Sequence, residues 1–199
     1  MTILLETRSV SRNFGALAAA TDINFKLESG ARHALIGPNG AGKTTFINLL
    51  TGVLLPSSGT VLLRGQNITT MQQNQRVKLG IARTFQINRL FRGLSVLENV
   101  YIPIAERVGA ATTMLQPAGS RRDVIDEAMH LLETLKLADD AHRTIAGLPY
   151  GRQRLVELAI ALGQKPEVLL LDEPAAGVPS AESHIILEPS TRCPRPSAC

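Results

Sequence analysis

The spacing of hydrophobic positions changes twice along this chain. Residues 4–10 and 23–27 carry short apolar runs that predict strands. Arg32-His33-Ala34-Leu35-Ile36 predicts another, running straight into a glycine-rich stretch. Apolar positions Phe46, Ile47, Leu49 and Leu50 then predict a helix over residues 44–50, which Gly52 can end. Pro56-Ser57-Ser58-Gly59 is turn chemistry, and residues 60–63 predict a strand running to Gly65. Strands separated by turns, followed by a strand that feeds a helix, predict an antiparallel patch beside an α/β core.

From Ser95 the period lengthens. Ser95-Val96-Leu97-Glu98 fits a capping box and marks a helix start. Residues 107–120, with Gly109, Pro117 and Gly119, predict an irregular connection. Beyond Asp123, the positions Val124, Ile125, Ala128, Leu131, Leu132 and Leu135 recur about every 3.6 residues, one face of a helix. A further helix is predicted over 154–162, after Gly151 and before Pro166. These elements predict a helical lobe over about 95–165, inserted into the core. Val168-Leu169-Leu170-Leu171 is uninterrupted and apolar, as in a strand buried on both faces, and it ends in Asp172-Glu173-Pro174.

Composition narrows the class. A chain of 199 residues suits one domain with a lobe, and 44% hydrophobic with 19% charged residues is ordinary for a globular protein. The net charge of +4 leaves open an anionic partner or a merely solvated surface. No apolar run approaches the ~20 residues that span a bilayer. The first residues, Met1-Thr2-Ile3-Leu4-Leu5-Glu6, lack the basic start and long apolar stretch of a secretory signal. A cytoplasmic domain is therefore expected, with any membrane role supplied by a partner. Cys193 and Cys199 lie at the very end with no nearby His, so neither a zinc site nor a disulfide is expected.

The densest chemical signal is Gly37-Pro38-Asn39-Gly40-Ala41-Gly42-Lys43-Thr44-Thr45, which fits G-x-x-x-x-G-K-S/T. Glycines let successive backbone N–H groups turn inward around an anion, and the following helix adds its positive end. In this pattern Lys43 reaches the β- and γ-phosphates of a nucleoside triphosphate and the Thr44 hydroxyl ligates Mg²⁺. Asp172 and Glu173 end an apolar strand, where α/β sheets bind ligands. Asp172 is the candidate Mg²⁺ partner and Glu173 the candidate base that polarises an attacking water. A pair of acids that merely caps a strand end is the bland alternative.

Three motifs now stand in one order: the loop from Gly37 to Thr45, then Leu148-Pro149-Tyr150-Gly151-Arg152-Gln153, then Leu170-Leu171-Asp172-Glu173. The chain resembles the ATP-binding subunit of an ABC transporter. The resemblance implies a P-loop NTPase (RecA-like) core with ATP and Mg²⁺ as cofactors. Residues 148–153 occupy the place of the family's Leu-Ser-Gly-Gly-Gln signature. Thr84-Phe85-Gln86 resembles the Q-loop, whose Gln, here Gln86, contacts Mg²⁺ and the attacking water and senses the membrane partner. Phe14 matches the aromatic residue that stacks on adenine, although on residues alone a core position is equally open. Ala82-Arg83-Thr84-Phe85-Gln86, Arg89-Leu90-Phe91, residues 94–100, Gly151-Arg152-Gln153-Arg154 and Asp172-Glu173-Pro174-Ala175-Ala176-Gly177 resemble the branched-chain amino acid importers. The implied partners are a second ABC ATPase subunit in a nucleotide-sandwich dimer, transmembrane permease subunits and, indirectly, a substrate-binding protein. No nucleic acid is implied. Gln86, Arg89, Leu90 and Phe91 would receive a cytoplasmic helix of the permease, with Leu90 and Phe91 equally open to a core role. The subunit would sit peripherally on the cytoplasmic face of the membrane.

Two departures qualify the resemblance, which runs over about residues 5–187. Pro149 stands at the signature Ser position, with neither a hydroxyl nor a backbone N–H, and only Gly151 keeps a signature glycine. An unequal pair, whose partner brings the better signature, would accommodate this. The other departure is the end. Residues 1–188 form the expected ATP-binding domain, while residues 189–199 hold three prolines and both cysteines without a helix or strand pattern. That irregular tail is either out of frame or a natural low-complexity ending. His184 follows the acidic strand too soon to be the family's switch His, so the final strand and helices are expected to be missing. A nucleotide-binding module with little hydrolysis is therefore the main alternative. A DNA-associated ABC ATPase is disfavoured, because no long coiled-coil heptad run occurs.

Overall fold

The computed structural model of the chain describes residues 2–84, 90–109 and 121–171. They divide into two compact units, one up to Ile81 and the other from Ala82 onward.

The first unit is built on a long antiparallel hairpin, β1 (Ile3–Phe14) and β2 (Leu17–Glu28), closed at Gly15 with φ 59°. The two runs expected over 4–10 and 23–27 are thus parts of longer strands. β3 (Ser58–Leu63) pairs with the other edge of β1, and β4 (Gln66–Asn67) follows, giving the sheet order β2-β1-β3-β4. Strict alternation would bury Leu5, Thr7 and Ser9. Instead the register shifts between Thr7 and Val10, Ser9 adopts φ 47°, and Val10 is buried in its place. A bulge of this kind moves every later side chain to the opposite face. The bulge also requires a glycine opposite it: a Cβ on Gly59 would stand 2.3 Å from the Ser9 carbonyl oxygen.

Helix α1 (Lys43–Thr51) buries Phe46, Leu49 and Leu50, and the Phe46 ring meets Phe25 of β2 edge to face at 5.8 Å. Gly52 ends α1 with φ 77°, as the sequence predicts. A short helix, α2 (Gln73–Lys78), opens on a capping box between Gln72 and Gln75. The strand expected over residues 32–36 does not form. Residues 31–38 carry no regular structure, Leu35 is 51% exposed and Ile36 90%. The reason is pairing: a strand exists only through a neighbour's hydrogen bonds, and among the described residues none pairs with 32–36.

The second unit holds a two-stranded sheet of β5 (Ile81–Arg83, which starts at the boundary) and β6 (Val168–Leu170), extended by the Thr84 N–H donating to Leu170 O at 3.0 Å. Val168 is buried but Leu169 to Leu171 are only partly so, not the double burial that the apolar run predicts. Helices α3 (Val96–Arg107), α4 (Arg122–Thr134) and α5 (Tyr150–Gly163) share a core of Val100, Ile104, Val124, Ala128, Leu132, Leu155 and Val156. The α4 stripe is the predicted one, with Val124, Ala128 and Leu132 innermost. The capping box at Ser95 is present in full. Its hydroxyl accepts from the Glu98 N–H at 3.2 Å, and the Glu98 carboxylate accepts from the Ser95 N–H at 2.7 Å. Helix α5 begins four residues earlier than the predicted start at 154, because Gly151 is buried inside its first turn rather than ahead of it. Among the described residues no helix is long and apolar enough to cross a membrane.

Candidate nucleotide-binding site

The glycine-rich loop runs along β2 and into α1. The Ala41 N–H donates to Pro38 O at 3.2 Å, closing a turn over Asn39 and Gly40. Gly40 and Gly42 take φ 82° and 81°, which side-chain-bearing residues rarely adopt. At Gly42 space is the tighter constraint, since a Cβ there would stand 2.5 Å from Ala19 O on β2. The loop backbone therefore rests directly on the sheet. Gly37, Pro38, Asn39, Gly40, Ala41 and Thr44 are exposed, while Lys43 and Thr45 are half-buried. The Lys43 ammonium folds back across the loop and donates to Gly37 O at 2.6 Å and Pro38 O at 2.8 Å. A cavity of about 420 Å³ opens beside it, lined by Ala18, Ala20, Phe25, Ile36, Gly42, Lys43 and Phe46.

What this arrangement can bind follows from the start of α1. Gly42 at the N-cap offers no side-chain acceptor, and the first turn carries no acid. The helix thus presents its positive end and a cation that has no counter-charge among the described residues, the combination suited to a phosphate. Three other helices are finished differently. Helix α2 has its glutamine box, α3 its Ser95–Glu98 box, and α4 an aspartate, Asp123, in the first turn. These observations fit a triphosphate at the loop, with the exposed Thr44 hydroxyl as an oxygen ligand for its Mg²⁺.

Phe14 ends β1 opposite Leu17, one residue beyond the pair of Asn13 with Ala18, which lines the cavity. Its ring is 45% exposed, so it is not a core residue. The Arg12 guanidinium lies over one face at 4.7 Å, held there by its bond to Leu55 O at 2.9 Å.

In the second unit, the signature residues form the start of α5. Leu148 is buried after a 3-10 turn over Ile145–Gly147, and Pro149 is the N-cap, its carbonyl accepting from the Gln153 N–H at 3.1 Å. Gln153 is buried and donates to Leu148 O at 2.8 Å, so its amide braces the turn that enters the helix. Arg152 turns away to Lys136 O at 2.8 Å and to Asp140 at 3.0 Å. Tyr150 remains 47% exposed, with the Arg154 guanidinium 5.1 Å from its ring centre. Arg154 also pairs with Glu157 at 2.7 Å, and burial pushes the Glu157 carboxyl up despite that partner. Like α1, α5 has no side-chain cap and no acid in its first turn.

Two polar anchors escaped the sequence reading. Asp140 gathers Arg143 and Arg152, and buried Asn99 exchanges bonds with the Phe91 backbone at 2.9 and 3.1 Å. Asp140 stands in no motif and Asn99 only within the stretch 94–100, and the contacts of Asp140 with Arg152 and of Asn99 with the Phe91 backbone are made by the fold. The Asn99 anchor separates two residues that the sequence left together: Leu90 joins the core, whereas Phe91 is 59% exposed. Gln86, Arg89, Asp172, Glu173 and His184 lie outside the described residues, as do 110–120 and the tail over 189–199.

Residues 20–176 match the sequence model of the family described as "ABC transporter". The chain is 39% identical over 185 residues to the high-affinity branched-chain amino acid transport ATP-binding protein LivG of Escherichia coli K12, covering 90% of this chain and 72% of that protein. It is 36% identical over 185 residues to the corresponding BraF of Pseudomonas aeruginosa, again over 90% of this chain and 72% of the relative. In structure it is similar to the ADP conformation of an ATP-binding cassette of an ABC transporter, with a TM-score of 0.81 at 29% identity over 96% of this chain and 77% of the cassette.

Proposed function

Because the chain belongs to the ABC transporter family, we propose that it is the ATP-binding subunit of an importer of branched-chain amino acids. One observation carries this reading: the uncapped, acid-free start of α1 with Lys43 across it, in a stretch that matches the family. On this reading the N–H groups from Gly40 to Thr45 cradle the phosphates, Lys43 neutralises them, and Thr44 with Gln86 and Asp172 holds Mg²⁺. Mg²⁺, when bound, offsets the charge of the β- and γ-phosphates. Phe14, already ordered by Arg12 on one face, stacks adenine on the other. Glu173 polarises the water.

The partner chemistry follows from α5. Its uncapped start offers N–H groups to the γ-phosphate held by a second ATPase subunit, and Pro149 removes one hydroxyl and one N–H from that grip. Phe91, exposed on a pinned backbone, is the docking residue for the permease. Helices α3 to α5 form the lobe that carries both surfaces, within a domain over 1–188. The subunit works peripherally at the cytoplasmic face of the membrane, with a substrate-binding protein supplying the amino acid outside.

The test is uptake. Deleting the gene from its host should abolish high-affinity uptake of labelled leucine, isoleucine and valine. A plasmid-borne copy should restore it, and one carrying Lys43→Ala should not. Unaltered uptake after deletion would overturn the substrate class. Restoration by Lys43→Ala would overturn the ATP-dependent step.

A further inference from the structure

Helix α1 is held from its far end by a residue outside every motif. The last carbonyls of a helix have no partner within it, and α1 has no basic residue of its own in its last turn. Arg76 of α2 supplies one. Its side chain is fully buried, and its Nη1 donates to Leu49 O at 2.7 Å and Leu50 O at 2.9 Å. Nε donates to Met71 O at 3.0 Å and Nη2 to Thr69 O at 2.8 Å, so one guanidinium ties the end of α1 to the turn over residues 69–71. Gly52 makes the room: a Cβ there would stand 2.8 Å from Arg76 Nε and 2.9 Å from Met71 O.

The electrostatics are unusual. Among the described residues Arg76 forms no ion pair, and burial pushes its guanidinium down to about 10. Carbonyl dipoles at the negative end of α1 are what compensate the charge. An apolar side chain of similar volume would commonly be as stable in such a place. The geometry provides something that an apolar side chain cannot, a planar fork that fixes direction.

We infer that Arg76 is a positioning residue for nucleotide binding, setting the tilt of α1 and hence the placement of its N-terminus and Lys43 against the triphosphate. This rests on the reading of the α1 loop as the ATP site. The lever is short but sufficient. A helix of this length is about 13 Å long, so a tilt of about 5° moves its phosphate end by roughly 1 Å. Displacements near that size weaken preorganised sites severely.

The experiment uses the 199-residue chain. Calorimetric titration with MgATP is run on wild type, Arg76→Met, Arg76→Lys, Lys43→Ala and the exposed control Arg8→Met, each first checked for fold by circular dichroism. The ³¹P spectrum of bound ATP is recorded alongside. Arg76→Met should bind MgATP on the order of tenfold more weakly and shift the β-phosphate resonance. Arg76→Lys, which keeps the charge without the fork, should recover part of the affinity, and Arg8→Met should match wild type. Folded Arg76→Met with wild-type affinity and an unshifted resonance would make the clamp merely structural and overturn the inference. If Arg76→Met does not fold, Arg76→Lys decides by the same two readouts. Loss of binding in Lys43→Ala alone sinks only the Arg76 inference. Binding by Lys43→Ala equal to wild type sinks the ATP site itself.

Discussion

Helices α1 and α3 begin in opposite ways. At α3 the chain spends Ser95 and Glu98 on closing the N-terminus, and the Glu98 carboxyl is held below its usual range by hydrogen bonds from the Ser95 backbone and side chain. At α1 it places Gly42, provides no cap and puts no acid in the first turn. A finished helix end has its orphan N–H groups satisfied from within and so has nothing to offer a ligand. An unfinished end forgoes that stabilisation, typically ~1 kcal/mol, and keeps donors and positive potential for an anion. α5, whose start carries the signature residues, is unfinished in the same way. The helices left open are those that the motifs assign to phosphate.

The largest effect should come from removing the cation at the open end. Lys43→Ala should weaken MgATP binding by at least about 10²-fold in calorimetric titration, since charge-assisted contacts to phosphate are among the strong ones. Binding within threefold of wild type would break the comparison at its root.

Closing the open end artificially is the next test. Thr45→Glu places an acid in the first turn of α1, imitating Glu98. It should stabilise the fold by about 0.3–1 kcal/mol through the helix dipole, raising the melting temperature slightly, while lowering MgATP affinity roughly tenfold. A gain in affinity would mean that the phosphate does not approach α1.

The smallest effect belongs to the closed end. Ser95→Ala should cost ~1 kcal/mol in denaturant unfolding and leave MgATP affinity unchanged. Acid should act in the same direction. The Glu98 pKa is lowered in the fold, so its contribution is present above the ordinary carboxyl range and lost as pH falls through the lowered value. Equal acid sensitivity of wild type and Glu98→Gln would contradict that role.

Local chemistry was legible in the sequence; chemistry that depends on a neighbour was not. The phosphate loop, the α1 stop at Gly52, the Ser95 box and the α4 stripe each rest on residues within a few positions of one another. The strand expected at 32–36 rests on pairing, and its apolar side chains cannot reveal that no described strand stands beside them. The bulge at Ser9 shows only in the register against β3 and β2. Gly151 resembles a helix boundary in sequence, yet it is buried inside the first turn of α5. Arg76 looks like an ordinary surface residue, and Asn99 like one more position of the stretch 94–100, until the fold brings carbonyls to them.

The central claim, that the open end of α1 holds the phosphates of ATP, is tested most directly by separating ATP into its halves. Calorimetric competition on the wild-type chain should show Mg-tripolyphosphate displacing MgATP, with adenosine displacing it far less. Lys43→Ala should lose the tripolyphosphate term. Adenosine competing as well as MgATP, with tripolyphosphate inert, would contradict the account.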